Sequence, residues 1–327
     1  MPDVAVVSPI VSALVTLPLI VWMLRAQDRL PLDMPNRRSL HARAVPRSGG
    51  IAMMTGIFVG FALMQTPLVI ALPAAVLVAF SHFDDVNGLP IPLRFGVQVA
   101  CTAAFAYGAL PNFGLPAVAL IVLGTLWVTN LYNFMDGSDG LAGGMTVLGF
   151  SFLGAGAWIS GDAALVADCA IVAAAAAAFL LFNFPPARLF MGNAGSIPIG
   201  FLAAALSLAG WRDGDWPFWF PAAVFAPFLV DVSLTLAKRL VSRERIWDAH
   251  NKHYYQRLVR MGWGHRKTAL AEYALMSVCG ATALWALREP AHMQLIALIG
   301  LVALYATLAL WVDYAWRRRK NIHVESA

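Results

Sequence analysis

The chain is dominated by a series of apolar runs, most of them long enough to cross a membrane as a helix, that alternate with short polar segments. The first run, 4–24, carries no charged residue and has about the 20 residues that span the ~30 Å hydrocarbon layer of a bilayer. Because 60% of the 327 residues are hydrophobic and only 13% are charged, the composition exceeds what a soluble domain needs for its core. The runs are 4–24, 50–64, 67–80, 95–110, 115–131, 141–159, 163–182, 197–211, 216–236, 269–287 and 293–311. We therefore predict an all-α, polytopic membrane bundle of about 10–11 transmembrane helices, which forms a single domain over residues 1–327.

The basic residues indicate how this bundle is inserted. Runs 50–64 and 67–80 are short for a full crossing, so they form either two spans or one re-entrant pair, and both arrangements give the later runs the same sidedness. With alternating spans, all of the 23 lysines and arginines except Arg212 and Arg288 fall on one face. Cytoplasmic loops are enriched in Lys and Arg, so we predict an outside N-terminus and a cytoplasmic C-terminus. The predicted cytoplasmic segments are 25–49, 81–94, 132–141, 183–196 and 238–267.

The adjacent carboxylates Asp84 and Asp85 form the first polar motif on this face. Adjacent carboxylates repel each other unless a proton or a cation lies between them, so the pair is consistent with a Mg²⁺ ligand beside a second ligand or a catalytic base. A solvated helix terminus would also place acids here. Acids at the mouth of a membrane bundle, facing a basic surface, indicate metal-assisted chemistry on a phosphate.

A second motif, residues 130–144, combines polar side chains with glycines. Asn130 and Asn133 precede Asp136 and Asp139, and four glycines lie between Asp136 and the end of the motif. Glycines let a backbone approach a ligand closely, and the amides at the start of the next helix attract an anion. A Gly-rich turn alone is a weak signal, but this density of Asp and Gly is a much stronger one.

A third motif, residues 183–196, also leads into a helix. A double proline ends one helix, and Gly192 and Gly195 precede another. The ring of Phe190 would either stack on a nucleotide base or anchor the loop at the membrane interface, and residue type alone does not distinguish the two roles.

Basic segments complete the predicted cytoplasmic face. His250 and His253 are three residues apart, so on a helix they are neighbours that can donate hydrogen bonds to a phosphate. A basic amphipathic helix lying on anionic lipid accounts for much of the same segment. The arginine-rich stretch that ends near Arg47 is either an ordinary positive-inside loop or an anion clamp.

Taken in order, these segments resemble the polyprenyl-phosphate N-acetylhexosamine-1-phosphate transferase family, also called glycosyltransferase family 4. The resemblance covers about residues 33–267. The Asp-Asp pair, the Asn-x-x-Asn-x-x-Asp-Gly-x-Asp-Gly-Leu-Ala segment, the Phe-Met-Gly-x-x-Gly-Ser loop and a late basic loop with histidines occur in the family's order. Four ordered motifs on one membrane face make the resemblance very specific.

The resemblance implies a role for each motif. Asp84 and Asp85 would be catalytic residues and metal ligands, and His250 and His253 would be catalytic histidines near the phosphates. Asp231, in the ninth run, also matches an acidic position of the family. The implied substrate-binding residues, with Asn183 and Phe190 at uracil, are Arg47, Arg94, Asn130, Asn133, Asp136, Asp139, Asn183 and Phe190.

The implied reaction is the attack of undecaprenyl phosphate on the β-phosphate of a UDP-N-acetylhexosamine, which releases UMP and initiates a surface polysaccharide of the O-antigen type. Mg²⁺, with Mn²⁺ as the alternative, would neutralise the diphosphate, while Arg and His side chains hold its oxygens. The lipid tail would lie in a groove between spans of the bacterial cytoplasmic membrane, and the site would face the cytoplasm. No nucleic-acid partner is expected. The sequence leaves open a homodimer, the identity of the sugar, and whether Asp84 acts as a base or as a covalent nucleophile.

Two positions depart from the family pattern. The third motif normally reads Phe-Met-Gly-Asp, and that Asp is expected to bind Mg²⁺, whereas this chain has Asn193. An Asn keeps a carbonyl ligand but loses a charge, which should weaken Mg²⁺ binding. The family's run of histidines is reduced to His250 and His253, which favours the surface-polysaccharide initiators over the peptidoglycan enzyme.

Two other functions fit parts of the sequence. A cation-coupled transporter would also carry intramembrane acids, with Asp168 and Asp231 as candidates, but the concentration of acids at one face and the lack of an internal repeat weigh against it. A CDP-alcohol phosphotransferase also uses Asp-Gly motifs, but its Asp-Gly segment is expected to continue into Ala-Arg, whereas this one continues as Gly140-Leu-Ala-Gly143.

Overall fold

The computed structural model describes residues 2–26, 30–34, 40, 44–245 and 250–325, so parts of the predicted loops 25–49 and 238–267 lie outside the described residues. The described chain folds into α-helices joined by short loops. In chain order the helices are α1 Pro2–Arg25, α2 Gly49–Met64, α3 Leu68–Asn87, α4 Ile91–Ala109, α5 Leu115–Met135, α6 Leu141–Ser160, α7 Ala163–Asn183, α8 Asn193–Asp213, α9 Trp219–Val224, α10 Ala226–Val241, α11 Tyr254–Leu258, α12 Gly264–Ala286 and α13 Ala291–Glu325. The short strands β1 Leu32–Asp33 and β2 Val45–Pro46 pair antiparallel in the first loop.

Eight of the described helices are long and apolar enough to cross a membrane. They are α1, α3, α5, α6, α7, α8, the continuous segment Tyr254–Ala286 that contains α11 and α12, and α13. Each of the predicted apolar runs coincides with a helix, and the ninth run is divided between α9 and α10. The difference from the predicted 10–11 spans comes from α2, with 16 residues, from α4, and from the divided α9–α10 pair. The predicted all-α membrane bundle is confirmed, and the direction of its insertion stays a prediction.

The helix α3 extends well beyond the apolar run that predicted it. It continues to Asn87, and its 20 residues are long enough to cross a membrane without help from α2. This length favours a membrane-spanning α3 over a re-entrant pair formed by α2 and α3. The extension also places Asp84 and Asp85 in the last turn of a helix rather than in a loop.

The helix α8 lies at the centre of the bundle and packs against α2, α3 and α5. In its apolar 18-residue stretch, 78% of the residues are buried, the largest share among the eight candidate spans. Small residues let helix backbones approach each other closely. Here Gly50 of α2 faces Gly195 of α8, and a Cβ at Gly50 would lie 2.4 Å from the Cα of Gly195. The first turn of α8 is therefore fixed against α2, at the end of the bundle where the polar motifs meet.

The structure provides a test of the predicted insertion. Ser242 and Ser160 are exposed and lie at opposite ends of the bundle, because Ser242 follows the end of α10 beside the polar motifs and Ser160 ends α6 on the far side. The native cysteines Cys101, Cys169 and Cys279 are all buried and can be replaced by alanine to give a silent background. We expect a membrane-impermeant maleimide to label Ser160→Cys in intact cells and Ser242→Cys only in inverted vesicles.

The two variants carry the same, nearly isosteric, substitution, so their labelling can be compared directly. Labelling of both cysteines from one side would contradict the alternating topology. Labelling of Ser242→Cys in intact cells and of Ser160→Cys only in inverted vesicles would show that the polar end faces outward.

Candidate active site

The carboxylate of Asp84 ties three helices together at the end of α3. It accepts hydrogen bonds from the backbone N–H of Leu89 at 2.7 Å and from the side-chain amide of Asn193 at 3.2 Å. The guanidinium of Arg94, in the first turn of α4, lies 3.3 Å from the same carboxylate. Only 6% of Asp84 is exposed. Its charge is therefore compensated inside the protein by one cation and two N–H donors, as a buried carboxylate requires.

The neighbouring carboxylate of Asp85 faces the start of α8. It accepts a hydrogen bond from the backbone N–H of Ala194 at 3.1 Å, and Arg47 donates to the backbone oxygen of Asp85. Gly192, which precedes α8, has φ 71°, and a Cβ there would lie 2.3 Å from the Arg47 oxygen and 3.1 Å from the Asp85 carboxylate. Glycine at position 192 is therefore needed both for its backbone conformation and for the close approach of these segments.

A third acid, Asp136, follows α5 and accepts a hydrogen bond from the backbone N–H of Gly192. Burial, together with the nearby carboxylates of Asp85 and Asp33, raises the pKa of Asp136 well above its usual value. Asp33 lies in β1. Sequence reasoning did not single out Asp33, because a lone acid in an arginine-rich loop gives no local signal. The structure therefore concentrates negative charge from three separate segments at one point.

This concentration of acids attracts cations, but it is not a complete, preformed set of metal ligands. Among the described residues, no three His, Cys, Asp or Glu side chains converge as a ready-made metal site. In phosphate-transfer sites Mg²⁺ is commonly held by one or two carboxylates, with phosphate oxygens and water as the other ligands. The carboxylates of Asp85 and Asp136, which repel each other, and the Asn193 amide beside Asp84 provide such a partial set of oxygens. The predicted ligands Asp84, Asp85 and Asn193 are therefore brought together, and metal binding itself stays a prediction.

Asn130 and Asn133, near the end of α5, bind the neighbouring helices. The amide nitrogen of Asn130 donates to the side chain of Gln98 on α4 at 2.7 Å. The side-chain oxygen of Asn133 accepts a hydrogen bond from the hydroxyl of Ser196 on α8 at 2.8 Å. Both residues therefore fix the position of α5, and their predicted contact with substrate stays a prediction.

Asn183, buried at the end of α7, joins the second and third motifs. Its oxygen accepts a hydrogen bond from the Gly140 N–H at 3.0 Å, and its nitrogen donates to the Leu189 backbone oxygen at 2.9 Å. Asp139 adds a second link, since its carboxylate accepts from the Ala187 N–H at 3.0 Å. The structure thus gives Asn183 and Asp139 a role in positioning the loops. Their predicted roles at uracil and at the nucleotide stay predictions.

His265, in the first turn of α12, is a residue of this loop cluster that sequence reasoning missed. Its Nε2 is 3.1 Å from the Leu40 backbone oxygen, and its Nδ1 is 2.9 Å from the Ser138 hydroxyl and 3.6 Å from the Asp139 carboxylate. A carbonyl oxygen only accepts, so the proton is assigned to Nε2, and Nδ1 accepts from the hydroxyl. His265 therefore links the first loop, the second motif and α12, which are too far apart in sequence to give a local signal.

Phe190 belongs to a short backbone ladder that extends β2. Its N–H donates to the Pro46 oxygen at 2.8 Å, and its own oxygen accepts from the Gly49 N–H at 2.9 Å. This ladder holds the third motif against the segment that carries Arg47. The side chain of Phe190 is half-buried, and the choice between base stacking and interface anchoring stays open.

The histidine segment, residues 250–258, is anchored by Asp231 of α10. The Nδ1 of His253 lies 3.2 Å from one Asp231 oxygen, which also accepts from the Tyr254 N–H at 2.9 Å. The other Asp231 oxygen accepts from the Tyr255 N–H at 3.0 Å. Since a carboxylate accepts, the proton is assigned to Nδ1 of His253, and the predicted contact of this residue, which is 3% exposed, with a phosphate stays a prediction.

The histidine segment also contacts the end of α5. The ring of His253 stacks on that of Phe134 with centroids 6.3 Å apart, and the Tyr255 hydroxyl donates to the Phe134 backbone oxygen at 3.1 Å. Burial, followed by the neighbouring His253 and two basic side chains, lowers the pKa of His250 to about 4. His250 is therefore neutral near pH 7, so it can donate a hydrogen bond to a phosphate but supplies no positive charge.

An apolar groove with a volume of about 420 Å³ lies between α5, α8 and the divided α9–α10 pair. Its walls include Leu120 and Val128 of α5, Trp211 of α8 and Phe225 between α9 and α10. The lining extends from Phe113, Trp211 and Phe218 at the far end of the bundle to Val128, which is eight residues, or about 12 Å along α5, from Asp136. A groove with this lining suits a hydrocarbon chain rather than a polar ligand.

Comparison with known proteins gives a consistent result. Residues 67–211 match glycosyl transferase family 4. A Bacillus subtilis protein named "Probable undecaprenyl-phosphate N-acetylglucosaminyl 1-phosphate transferase" is 27% identical over 264 residues, which cover 75% of this chain and 74% of that protein. The decaprenyl-phosphate N-acetylglucosaminephosphotransferase of Mycobacterium leprae is 26% identical, with the same coverage of both chains. The phospho-N-acetylmuramoyl-pentapeptide-transferase of Staphylococcus aureus is 29% identical over 188 residues, which cover 58% of this chain and 54% of that enzyme.

The matched region begins just before α3, which carries Asp84 and Asp85, and ends near the end of α8, whose first turn binds Asp85. It therefore contains the helices that build most of the acidic cluster. The alignments with two of the relatives also cover three quarters of this chain. Residues 67–211 are therefore a glycosyl transferase family 4 region, and the chain as a whole is similar to transferases that act on polyprenyl phosphates.

Proposed function

We propose that this protein transfers N-acetylhexosamine-1-phosphate from a UDP-sugar to undecaprenyl phosphate and releases UMP. The observation that carries the proposal is the convergence of Asp84, Asp85 and Asp136 on the first turn of α8, beside two arginines. Relatives named for the same type of transfer support it. The product would initiate a surface polysaccharide of the O-antigen type at the cytoplasmic face of the membrane.

In the proposed chemistry a lipid phosphate oxygen forms a bond to the β-phosphorus as the bond to UMP breaks, and the protein mainly supplies charge and positioning. The attacking lipid phosphate and the sugar diphosphate are both anionic, so the site must offset their repulsion. Arg47 and Arg94 supply fixed positive charge next to the carboxylate pair. Mg²⁺, held by Asp84, Asp85 and Asn193, would neutralise the diphosphate and the leaving UMP. His253, oriented by Asp231, can exchange a proton or a hydrogen bond with a phosphate oxygen.

The start of α8 acts on the acids of the site. The N–H groups of Gly192 and Ala194 bind the carboxylates of Asp136 and Asp85. The positive end of the α8 dipole therefore partly offsets the burial and the nearby carboxylates that raise the pKa of Asp136, instead of binding the substrate phosphates directly. This arrangement places carboxylate oxygens where a cation can bind, at a site that is largely shielded from water.

The apolar groove between α5, α8 and the α9–α10 pair is the proposed place for the lipid tail. Its lining would bury isoprene units at some distance from the lipid phosphate, because Val128, its α5 residue nearest to the polar end, is about 12 Å along the helix from Asp136. A cation-coupled transporter has less support, since its two candidate acids already have protein partners. Asp168 accepts a hydrogen bond from the Thr66 hydroxyl at 2.5 Å, and Asp231 binds the histidine segment.

The direct test is to incubate the purified protein in detergent with undecaprenyl phosphate, Mg²⁺ and a panel of UDP-sugars. We expect UMP release only when the lipid phosphate and a UDP-N-acetylhexosamine are both present. Release of CMP from a CDP-alcohol, with no reaction of any UDP-sugar, would instead identify an alcohol phosphotransferase.

Replacement of either member of the carboxylate pair should stop this transfer. We expect Asp84→Asn and Asp85→Asn each to lower turnover by at least about 100-fold, because each removes a charge aimed at the metal or at the attacking phosphate. The matched control is Asp213→Asn, which makes the same change in an exposed, ion-paired acid at the far end of α8. Turnover close to wild type in both site variants, measured on folded protein, would eliminate the carboxylate-pair mechanism.

Asn193→Asp should strengthen the proposed metal site. The amide of Asn193 now donates to Asp84 across 3.2 Å, and an Asp at this position would bring a second carboxylate against the first. Two carboxylates at that distance are stable together only with a proton or a cation between them. We therefore expect the half-saturating Mg²⁺ concentration for UMP release to fall several-fold, and turnover to rise.

The matched control is Asn87→Asp, which adds the same charge at the exposed end of α3. It corrects for a general attraction of Mg²⁺ to a more acidic surface. If Asn193→Asp gives the same Mg²⁺ midpoint and turnover as the wild-type protein, the metal is held by other residues.

A further inference from the structure

A second acidic anchor lies on α13, outside the residues matched by the family and outside the predicted site. The carboxylate of Asp313 forms ion pairs with Lys238 of α10 and with Arg257 of α11, the latter at 2.7 Å. Only 17% of the Asp313 side chain and 13% of the Arg257 side chain are exposed. A partly buried ion pair depends strongly on both partners, because loss of either one leaves the other charge poorly solvated.

The two cations held by Asp313 also enclose Tyr254. Lys238 lies 5.1 Å and Arg257 4.9 Å from the centroid of the Tyr254 ring, and the Lys238 ammonium donates to the Tyr254 hydroxyl at 2.5 Å. Cations over an aromatic face are attracted by its quadrupole, but they repel each other. The shared carboxylate of Asp313 offsets that repulsion and so stabilises the cluster.

Tyr254 connects this cluster to the proposed site. Its backbone N–H donates to the Asp231 oxygen that also binds His253. The histidine segment is therefore held from two sides, by Asp231 through its backbone and by Asp313 through the side chains of Tyr254 and Arg257. The next residue, Tyr255, closes the connection to the end of α5.

From these contacts we infer that Asp313 is a positioning residue of the transferase, which fixes the histidine segment and thereby the ring of His253 against Phe134, two residues from Asp136. The last helix, α13, then contributes to the site by positioning the histidine segment, in addition to crossing the membrane. Asp313 does not touch the reacting atoms in this assignment. The inference rests on the proposed function, because it takes His253 to contact the phosphates.

The test compares Asp313→Asn with the wild-type protein in two measurements. In steady-state UMP release we expect turnover to fall about tenfold, the scale typical of residues that orient a site residue, with the KM for the UDP-sugar within about twofold. In hydrogen exchange followed by mass spectrometry we expect faster exchange in peptides that contain Tyr254 and Tyr255, whose N–H groups are bound by Asp231, and unchanged exchange at the start of α8.

Two further variants make the result decisive. Asp213→Asn is the matched control, with the same change in an ion-paired acid at the far end of α8, and it should leave both measurements unchanged. Asp313→Glu keeps the charge on a side chain one methylene longer, and it should retain most of the wild-type turnover and protection. If Asp313→Asn does not fold, the comparison of Asp313→Glu with Arg257→Gln, which removes the cation and keeps the acid, replaces it.

Several outcomes would overturn the inference. Turnover of Asp313→Asn equal to that of the control would do so, as would a loss of turnover without faster exchange in the histidine segment. Faster exchange throughout α8 and α13 would show a general loss of stability instead of a local displacement. A wild-type protein that releases no UMP from any UDP-sugar would refute the proposed function, whereas the exchange measurement would still report whether Asp313 fixes the segment.

Discussion

The first turn of α8 is the element on which the rest of the site depends, because it compensates the negative charge that three other segments bring to one point. Its N–H groups bind the carboxylates of Asp85 and Asp136, and the Asn193 amide binds Asp84. Buried acids of the same sign would otherwise repel each other and favour their protonated forms. The close contact of Gly50 with Gly195 fixes the helix end that performs this task.

The pKa of Asp136 shows that the compensation is incomplete. Its carboxylate remains under the influence of Asp85 and Asp33, and its pKa is raised well above the usual value. Buried ionisable groups whose pKa is strongly shifted often mark a functional site. A divalent cation would offset the excess negative charge and would then attract an anionic phosphate, which is the physical link between this geometry and the proposed phosphate transfer.

The loops of the site are held by polar side chains that do not need to touch substrate. Asn183 and His265 connect loops that are 43 to 225 residues apart in sequence. Asp231 and Asp313 hold the histidine segment from opposite sides, one through backbone N–H groups and the other through an ion-paired cluster. In a bundle whose spans pack mainly through apolar and small residues, such bonds give the loops fixed positions that packing alone would leave undefined.

The sequence by itself determined the all-α membrane bundle, since apolar runs of helical length have few other stable structures in a bilayer. It also indicated the resemblance to glycosyl transferase family 4, because Asp84, Asp85, Asp136 and Asp139 stand in motifs whose order is visible along the chain. Only the tertiary structure decided that Asp33 joins the acidic cluster, that Asn183 bridges two loops, and that Asp313 reaches the histidine segment. These contacts depend on which helix ends are neighbours in the folded bundle. The sequence shows the hydrophobic periodicity of each helix, but it does not show which helix ends lie side by side.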